Sequence, residues 1–111
     1  MELASKEGKA TRTTTVTMPC QLGLHARTAA RFILFARRFS SDIRIRKGRL
    51  AVDGKSILGL LLLGATWKSK LIIAVEGEDA DGAIQGIEAY FLMRENCADD
   101  VIETLSGEED V

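Results

Sequence analysis

Residues 23–30 read Gly-Leu-His-Ala-Arg-Thr-Ala-Ala and contain His25, the only histidine of the chain. Arg27 follows two positions later, where the small residues indicate that a helix begins. The first N–H groups of a helix lack intrahelical partners and carry about half a positive charge, so they attract anions. A neutral imidazole accepts a phosphoryl group near neutral pH. We therefore predict that His25 accepts and donates phosphate and that Arg27 stabilises it.

A histidine at a helix start is, taken alone, more often a surface or capping residue than a reactive group. A second run, Gly-Lys-Ser-Ile-Leu-Gly-Leu at residues 54–60, favours the interpretation of His25 as a reactive group. The two runs together resemble the two signatures of the histidine-containing phosphocarrier (HPr) family. The resemblance covers roughly residues 13–94, which is most of the chain.

The resemblance implies a carrier of the phosphoenolpyruvate-dependent phosphotransferase system. His25 would take phosphate from enzyme I at ring Nδ1 and pass it to enzyme IIA domains of sugar transporters, with Arg27 at the phosphate-contacting position. Such a protein is a relay rather than a turnover catalyst and needs no cofactor or metal. An alternative is an HPr-like regulatory protein that reports nitrogen or carbon status without feeding sugar import. A different class, a binding module that keeps the fold but carries no phosphate, remains open because of Thr28.

Thr28 stands where the HPr family usually has proline, a residue that suits the first turn of a helix. Threonine permits the same backbone conformation and adds a hydroxyl that can cap the helix or contact a phosphate. We expect the site to survive this change with an altered rigidity and transfer rate.

Ser56 lies where a helix cap is needed, before the apolar run that follows it. The resemblance implies a second role, because part of the family is phosphorylated at the matching serine, which slows transfer through the histidine. A serine kinase, a phosphatase and a transcription regulator are therefore candidate partners. The run Gly-Lys-Ser also ends nucleotide-binding loops, but position 49 is arginine where such a loop requires glycine, so ATP binding is not predicted.

The apolar run after Ser56 is too long for a short helix to bury completely under one sheet, so an exposed apolar patch near His25 is expected. The resemblance implies that the positions of Leu58 and Leu61 dock on enzyme I and enzyme IIA. Basic residues should add a charged rim. The predicted docking residues are Ile57, Leu58, Leu61, Arg31 and Lys55, whereas Leu60 and Leu63 are expected in the core.

The 111 residues have room for a single domain, and the formal net charge of −1 conceals an asymmetry. Residues 11–94 contain 13 basic and 7 acidic side chains, whereas residues 95–111 contain 7 acidic side chains and no basic one. The basic residues are not interleaved with aromatic ones, so an acidic protein partner is expected rather than nucleic acid. A nucleic-acid-binding domain is the remaining rival, and it would lose affinity steeply with salt.

We expect a cytoplasmic monomer without membrane insertion, because no apolar run approaches about 20 residues and the first residues do not form a secretory signal. Cys20 and Cys97 are far apart in sequence and are expected to be free thiols. A nucleophilic pair of Cys20 with His25 has little support, since no third orienting group is evident.

The apolar patterns predict strands at residues 11–18, 43–46, 49–52 and 70–76, with helices at 27–39, 57–63 and from about 79. The order β-α-β-β-α-β-α predicts an α+β open-faced β-sandwich, a four-stranded antiparallel sheet covered on one face by three helices. Residues 1–10 are expected to be a disordered extension, residues 11–94 the phosphocarrier domain, and residues 95–111 an acidic tail. The stripe expected to pack the first helix on the sheet is Ala26, Ala29, Ala30, Ile33, Leu34 and Ala36 or Arg37.

Overall fold

The structure is a computed structural model that describes residues 10–20, 23–93 and 97. Four strands and three helices follow one another in the order predicted from the sequence. The elements are β1 (Ala10–Thr17), α1 (Ala26–Ala36), β2 (Asp42–Lys47), β3 (Leu50–Asp53), α2 (Ile57–Leu63), β4 (Lys70–Gly77) and α3 (Ala80–Leu92).

The strands form one sheet in the spatial order β1-β4-β2-β3, and all three neighbouring pairs are antiparallel. β2 and β3 form a hairpin in which Lys47 pairs with Leu50. Gly48 has a φ of +61° in this turn, which is favourable only for glycine and gives the loop the twist of the flanking strands. The predicted open-faced sandwich is therefore confirmed.

The core lies between one face of the sheet and the inner sides of the helices. Alternate strand residues point into it, as the period of two requires. On β1, for example, Val16 is buried and Thr15 and Thr17 are exposed, as the sequence predicted. The larger buried side chains are Val16, Ile43, Ile45, Val52, Leu71, Ile73 and Val75 from the strands, and Phe32, Ile33, Leu60, Leu63, Ile84, Ile87 and Phe91 from the helices.

The prediction for α1 was wrong in its end and in part of its buried side. Ala29, Ile33 and Ala36 are buried, as predicted, whereas Ala26 and Ala30 are exposed. The helix ends at Ala36, three residues before the predicted end. Leu34 was expected in the core but is 70% exposed, whereas Phe32 and Thr28 are buried. Apolar residues occupy most positions of this helix, so the hydrophobic pattern did not determine which side faces the sheet.

The prediction of free thiols was also wrong, because Cys20 and Cys97 form a disulfide. The bridge joins the segment after β1 to the chain beyond α3, across 77 positions of sequence. The three-dimensional fold brings the two residues together, and a separation of this size gives no sign of that proximity. Cys97 is fully buried at the bridge.

The expected N-terminal extension, apart from Ala10, and nearly all of the expected acidic tail fall outside the described residues. Of the described helices, none combines the length and the hydropathy that are needed to span a membrane.

Candidate functional site

His25 is the N-cap residue of α1, with an extended backbone conformation (φ −111°, ψ −177°). Its ring Nδ1 accepts a hydrogen bond from the backbone N–H of Arg27 at 3.3 Å. The other ring nitrogen, Nε2, is buried and has no hydrogen-bond partner among the described residues. The predicted phosphoryl acceptor therefore lies at the amino end of a helix, where unpaired N–H groups favour an anion.

The hydrogen bond at Nδ1 of His25 indicates which ring nitrogen carries the proton when the ring is neutral. An Nδ1 that accepts a hydrogen bond carries no proton, so a neutral ring carries its proton on Nε2. The lone pair that would attack phosphorus is therefore the one that now caps the helix. A phosphate bound to Nδ1 would take over the N–H of Arg27, so phosphorylation exchanges one acceptor for another at the same donor.

Thr28 completes a reciprocal capping box with His25. Its hydroxyl accepts from the backbone N–H of His25 at 3.0 Å, and lies 3.2 Å from the carbonyl oxygens of Gly23 and His25. The side chain is buried. Threonine therefore fixes the start of α1 through hydrogen bonds at the position where the family usually has the rigid ring of proline.

The two residues before His25 are held against the loop that follows α2. Gly23 has a φ of +74°, and a Cβ at this position would lie 2.5 Å from the carbonyl oxygen of Ala65. Leu24 donates its backbone N–H to the same oxygen at 2.8 Å. Only glycine fits this close approach, which brings the carboxyl end of α2 beside the segment that carries His25.

Ser56 is the N-cap of α2, as predicted. Its hydroxyl oxygen accepts from the backbone N–H of Gly59 at 3.0 Å, and Gly64 ends the helix in the left-handed conformation with a φ of +58°. The serine is half-buried. An anion at this position would lie at the favourable end of the helix dipole.

An apolar patch covers the outer side of α2 and extends to α1. Leu58 and Leu62 are each 72% exposed, and Leu60 and Leu63 are buried, as expected. Leu34 and Ile57 line one shallow groove between α1 and α2, so the exposed leucine of α1 continues the surface of α2. We define the apolar patch as Leu34, Ile57, Leu58, Leu61 and Leu62.

Sequence reasoning missed Leu34 and Leu62 as members of this patch. Leu34 was assigned to the core because an apolar helical residue is expected to face the sheet. Ala29 and Ala36 belong to both the predicted and the observed buried stripe, and the observed one contains Phe32 instead of Leu34, so helical spacing alone did not distinguish the two.

The two basic residues predicted for the rim lie on opposite sides of α1. Lys55 lines the groove shared with Ile57, and its ammonium donates to the carbonyl oxygen of Phe39 at 2.7 Å, so it also satisfies a backbone group just beyond α1. Arg31 lies on the side of α3, near Tyr90. Burial raises the pKa of the Tyr90 hydroxyl, and the positive charge of Arg31 opposes that rise.

Among residues 10–20, 23–93 and 97, no group of three histidine, cysteine or acidic side chains is arranged to hold a metal ion. The candidate site, as described above, consists of His25, the amino end of α1 with Arg27 and Thr28, and the apolar patch.

An open-faced sandwich that presents one histidine at a helix amino end, beside an exposed apolar surface, is the arrangement expected of a phosphohistidine carrier domain. Residues 12–92 match the family model described as the PTS HPr component phosphorylation site. The chain belongs to the HPr family of the phosphotransferase system (PTS).

Individual relatives agree with this assignment. The HPr-like protein Crh of Bacillus subtilis is 38% identical over 68 residues, which are 61% of this chain and 80% of that protein. The phosphocarrier protein HPr of Pseudomonas aeruginosa is 38% identical over 73 residues, 65% of this chain and 81% of that protein. A crystal structure of a phosphocarrier protein HPr from Bacillus anthracis superimposes with a TM-score of 0.70 at 38% identity, covering 74% of this chain and 98% of that one.

Proposed function

We propose that this protein carries phosphate on Nδ1 of His25, accepting it from phosphorylated enzyme I and passing it to enzyme IIA domains in the cytoplasm. The observation that carries the proposal is the position of His25 as N-cap of α1, with Nδ1 on the N–H of Arg27. A phosphate on that atom would meet the backbone N–H of Arg27 and the positive end of the helix. The guanidinium of Arg27, at the position of the family's phosphate-contacting arginine, would stabilise its charge.

The buried Nε2 adds a requirement to the transfer step. Its proton has no acceptor among the described residues, so the resting ring is less stable than it would be with both nitrogens paired. Attack on phosphorus also needs Nδ1 to leave the N–H of Arg27. We infer that the ring rotates when a partner docks, which exposes Nδ1 and gives Nε2 access to an acceptor.

The apolar patch is the proposed docking surface for both partners. Single exposed leucines are ordinary, but five large apolar side chains on neighbouring helices form a continuous surface of the kind that partners cover. Lys55 and Arg31 lie at opposite margins of this surface and would contribute the charged rim. Phosphate at Ser56, at the start of α2, would add negative charge directly beside the patch and interfere with docking.

The alternative function is that of an HPr-like regulatory protein that does not feed sugar import. The relatives named HPr and HPr-like protein Crh are both 38% identical to this chain, so sequence identity does not distinguish a sugar-transport carrier from a regulatory protein. Transfer from the phosphorylated chain to an enzyme IIA domain distinguishes the two, because a purely regulatory protein would retain its phosphate in that mixture.

Labelling by enzyme I and radioactive phosphoenolpyruvate tests the proposal. The protein should gain one acid-labile, base-stable phosphate. The variant His25→Asn should gain none, and it should remain folded because asparagine is a favourable N-cap. A matched change, Thr17→Val on the exposed face of β1, should label like the parent. An asparagine variant that still gains acid-labile phosphate would place the acceptor elsewhere.

A further inference from the structure

We propose that Cys20 and Cys97 are a reversible dithiol–disulfide modification site whose redox state controls phosphoryl transfer at His25. The inference rests on the proposed function of His25. Cys20 lies five residues before that histidine, and Cys97 lies beyond the end of α3. The bridge therefore joins the segment that presents the acceptor to the last part of the chain that the structure describes.

Contacts connect Cys20 to the groups that hold His25. The carbonyl oxygen of Cys20 accepts from the N–H of Gly23 at 2.9 Å. Thr28, the partner of His25 in the capping box, lines the same apolar cavity as Cys20 and Leu24. Phe91 of α3 lines this cavity as well. The bridge therefore lies at a cavity that is shared by the capping box and α3.

The bridge joins two residues that lie outside the strands and helices. The match to the family ends at residue 92, and all four strands and three helices lie between residues 10 and 92. Cys97 lies outside this unit, and neither cysteine belongs to a described strand or helix. We therefore expect the sandwich to remain folded when the bridge is reduced.

Both cysteines are nearly inaccessible when bridged, with Cys20 6% exposed and Cys97 fully buried. Exchange therefore requires Cys97 to separate from the domain before a thiol reaches the sulfur atoms. The end of α3 that precedes it is exposed, with Leu92 at 82% and Met93 at 47%.

The reaction is thiol–disulfide exchange with a small-molecule disulfide such as oxidised glutathione. The thiolate of Cys20 attacks one sulfur of the disulfide, which releases one thiol and leaves a mixed disulfide on Cys20. The thiolate of Cys97 then attacks the sulfur of Cys20 and releases the second thiol. Two protein thiols become one disulfide, and one small-molecule disulfide becomes two thiols. A dithiol reductant reverses the sequence.

The bridged form should be the faster phosphate carrier. Donors that are fixed before a charge arrives stabilise it without first having to reorganise. The bridge holds Cys20, and through the N–H of Gly23 it restrains the segment that sets His25 and the N–H of Arg27. Reduction frees one end of this segment, so acceptance from phosphorylated enzyme I should slow by about threefold to tenfold.

The test equilibrates the full chain in oxidised or reduced glutathione and quantifies the bridge by mass spectrometry. The kcat/KM for phosphate acceptance from enzyme I is then measured for each form. Cys97→Ser lies far from His25 in sequence and should match the reduced parent in both buffers. Cys20→Ser should also match the reduced parent in both buffers.

NMR provides a second measurement, made at a temperature where both redox forms are folded. The signals of the His25 ring and of the Arg27 amide should differ between the two forms. A bridge that only stabilised the whole domain would leave these signals unchanged.

Equal or faster acceptance by the reduced form overturns the inference, as does failure of the bridge to form across the glutathione range. If neither redox form accepts phosphate, the proposed function fails instead. In that case the NMR comparison decides the inference, because unchanged His25 and Arg27 signals would overturn it and altered signals would support coupling of the bridge to the site.

Discussion

At the scale of single residues, the site depends on two side chains at the start of α1, those of His25 and Thr28. Nδ1 of His25 caps the helix at rest and is the proposed nucleophile during transfer. The hydroxyl of Thr28 holds the backbone N–H of His25, and thereby the backbone that orients the ring. Sequence reasoning identified both positions, and it left open whether the Thr28 hydroxyl caps the helix or contacts a phosphate. The structure shows the capping contact.

Replacing Thr28 with valine keeps the volume and removes the hydroxyl. The backbone N–H of His25 then loses its acceptor at a buried helix end, so the free energy of unfolding should fall by about 1 to 2 kcal/mol. Urea denaturation measures this loss. Thr17→Val, on the exposed face of β1, removes the same atoms and should change the stability by less than about 0.5 kcal/mol. Equal effects of the two substitutions would show that the capping box contributes nothing specific.

At the scale of elements, α2 is the least self-sufficient part of the domain. It has seven residues, fewer than an isolated helix needs, and four of them are exposed apolar side chains. Its start depends on the hydroxyl of Ser56, and its end lies against the segment that carries His25. A change at Ser56 is therefore transmitted to the apolar patch and to the neighbourhood of the site through one short element.

Two substitutions at Ser56 should separate its capping role from the effect of added charge. Ser56→Ala removes the cap and should lower the free energy of unfolding by about 1 kcal/mol. Ser56→Asp keeps an acceptor for the N–H of Gly59 and adds a charge at the favourable end of the helix, so its stability should stay close to that of the parent.

The two Ser56 variants should also differ in their affinity for enzyme I. The aspartate variant should bind enzyme I more weakly, because the added charge lies beside the apolar patch, whereas the folded alanine variant should bind like the parent. Titration calorimetry measures both. Unchanged affinity of the aspartate variant would mean that charge at this position does not regulate docking.

At the scale of the whole molecule, local patterns in the sequence were enough to predict the order of strands and helices and the position of His25 at the start of the first helix. Contacts between distant parts of the chain were not predictable in this way. The bridge of Cys20 to Cys97 and the hydrogen bond from Lys55 to Phe39 join residues that only the folded topology brings together. The exposure of Leu34 depends likewise on which side of α1 meets the sheet.

Asp79 also joins parts of the chain that are distant in sequence. It was predicted to begin the last helix, and it is the N-cap of α3, but its side chain makes no hydrogen bond to that helix. Its carboxylate instead accepts the backbone N–H groups of Ser40 and Ser41, each at 2.9 Å, and the hydroxyl of Ser41. The start of α3 is thereby joined to the start of β2, 38 positions earlier in the chain.

The hydrogen bond from the Ser41 hydroxyl, followed by that from the Ser40 N–H, lowers the pKa of Asp79 below the ordinary value of 3.8. A depressed pKa means that the ionised carboxylate stabilises the folded state. This contribution to stability is fully present at pH values above the pKa that Asp79 has in the unfolded chain. It is lost as the pH falls through the lower pKa that Asp79 has in the folded state. The domain should therefore lose stability in acid below about pH 4, in part through this one group.

The variant Asp79→Asn removes the ionisable carboxylate and keeps one acceptor oxygen. Its free energy of unfolding at pH 7 should be lower by about 1 kcal/mol, because a neutral amide accepts weaker hydrogen bonds than a carboxylate. The difference from the parent should shrink as the pH falls below about 4, since the parent then loses the same charge. Urea denaturation between pH 2 and 7 measures both effects.

The control is Glu78→Gln, at the exposed neighbouring position, whose stability should remain close to that of the parent throughout this range. A stability difference between Asp79→Asn and the parent that stays constant at every pH would refute the role of the Asp79 charge.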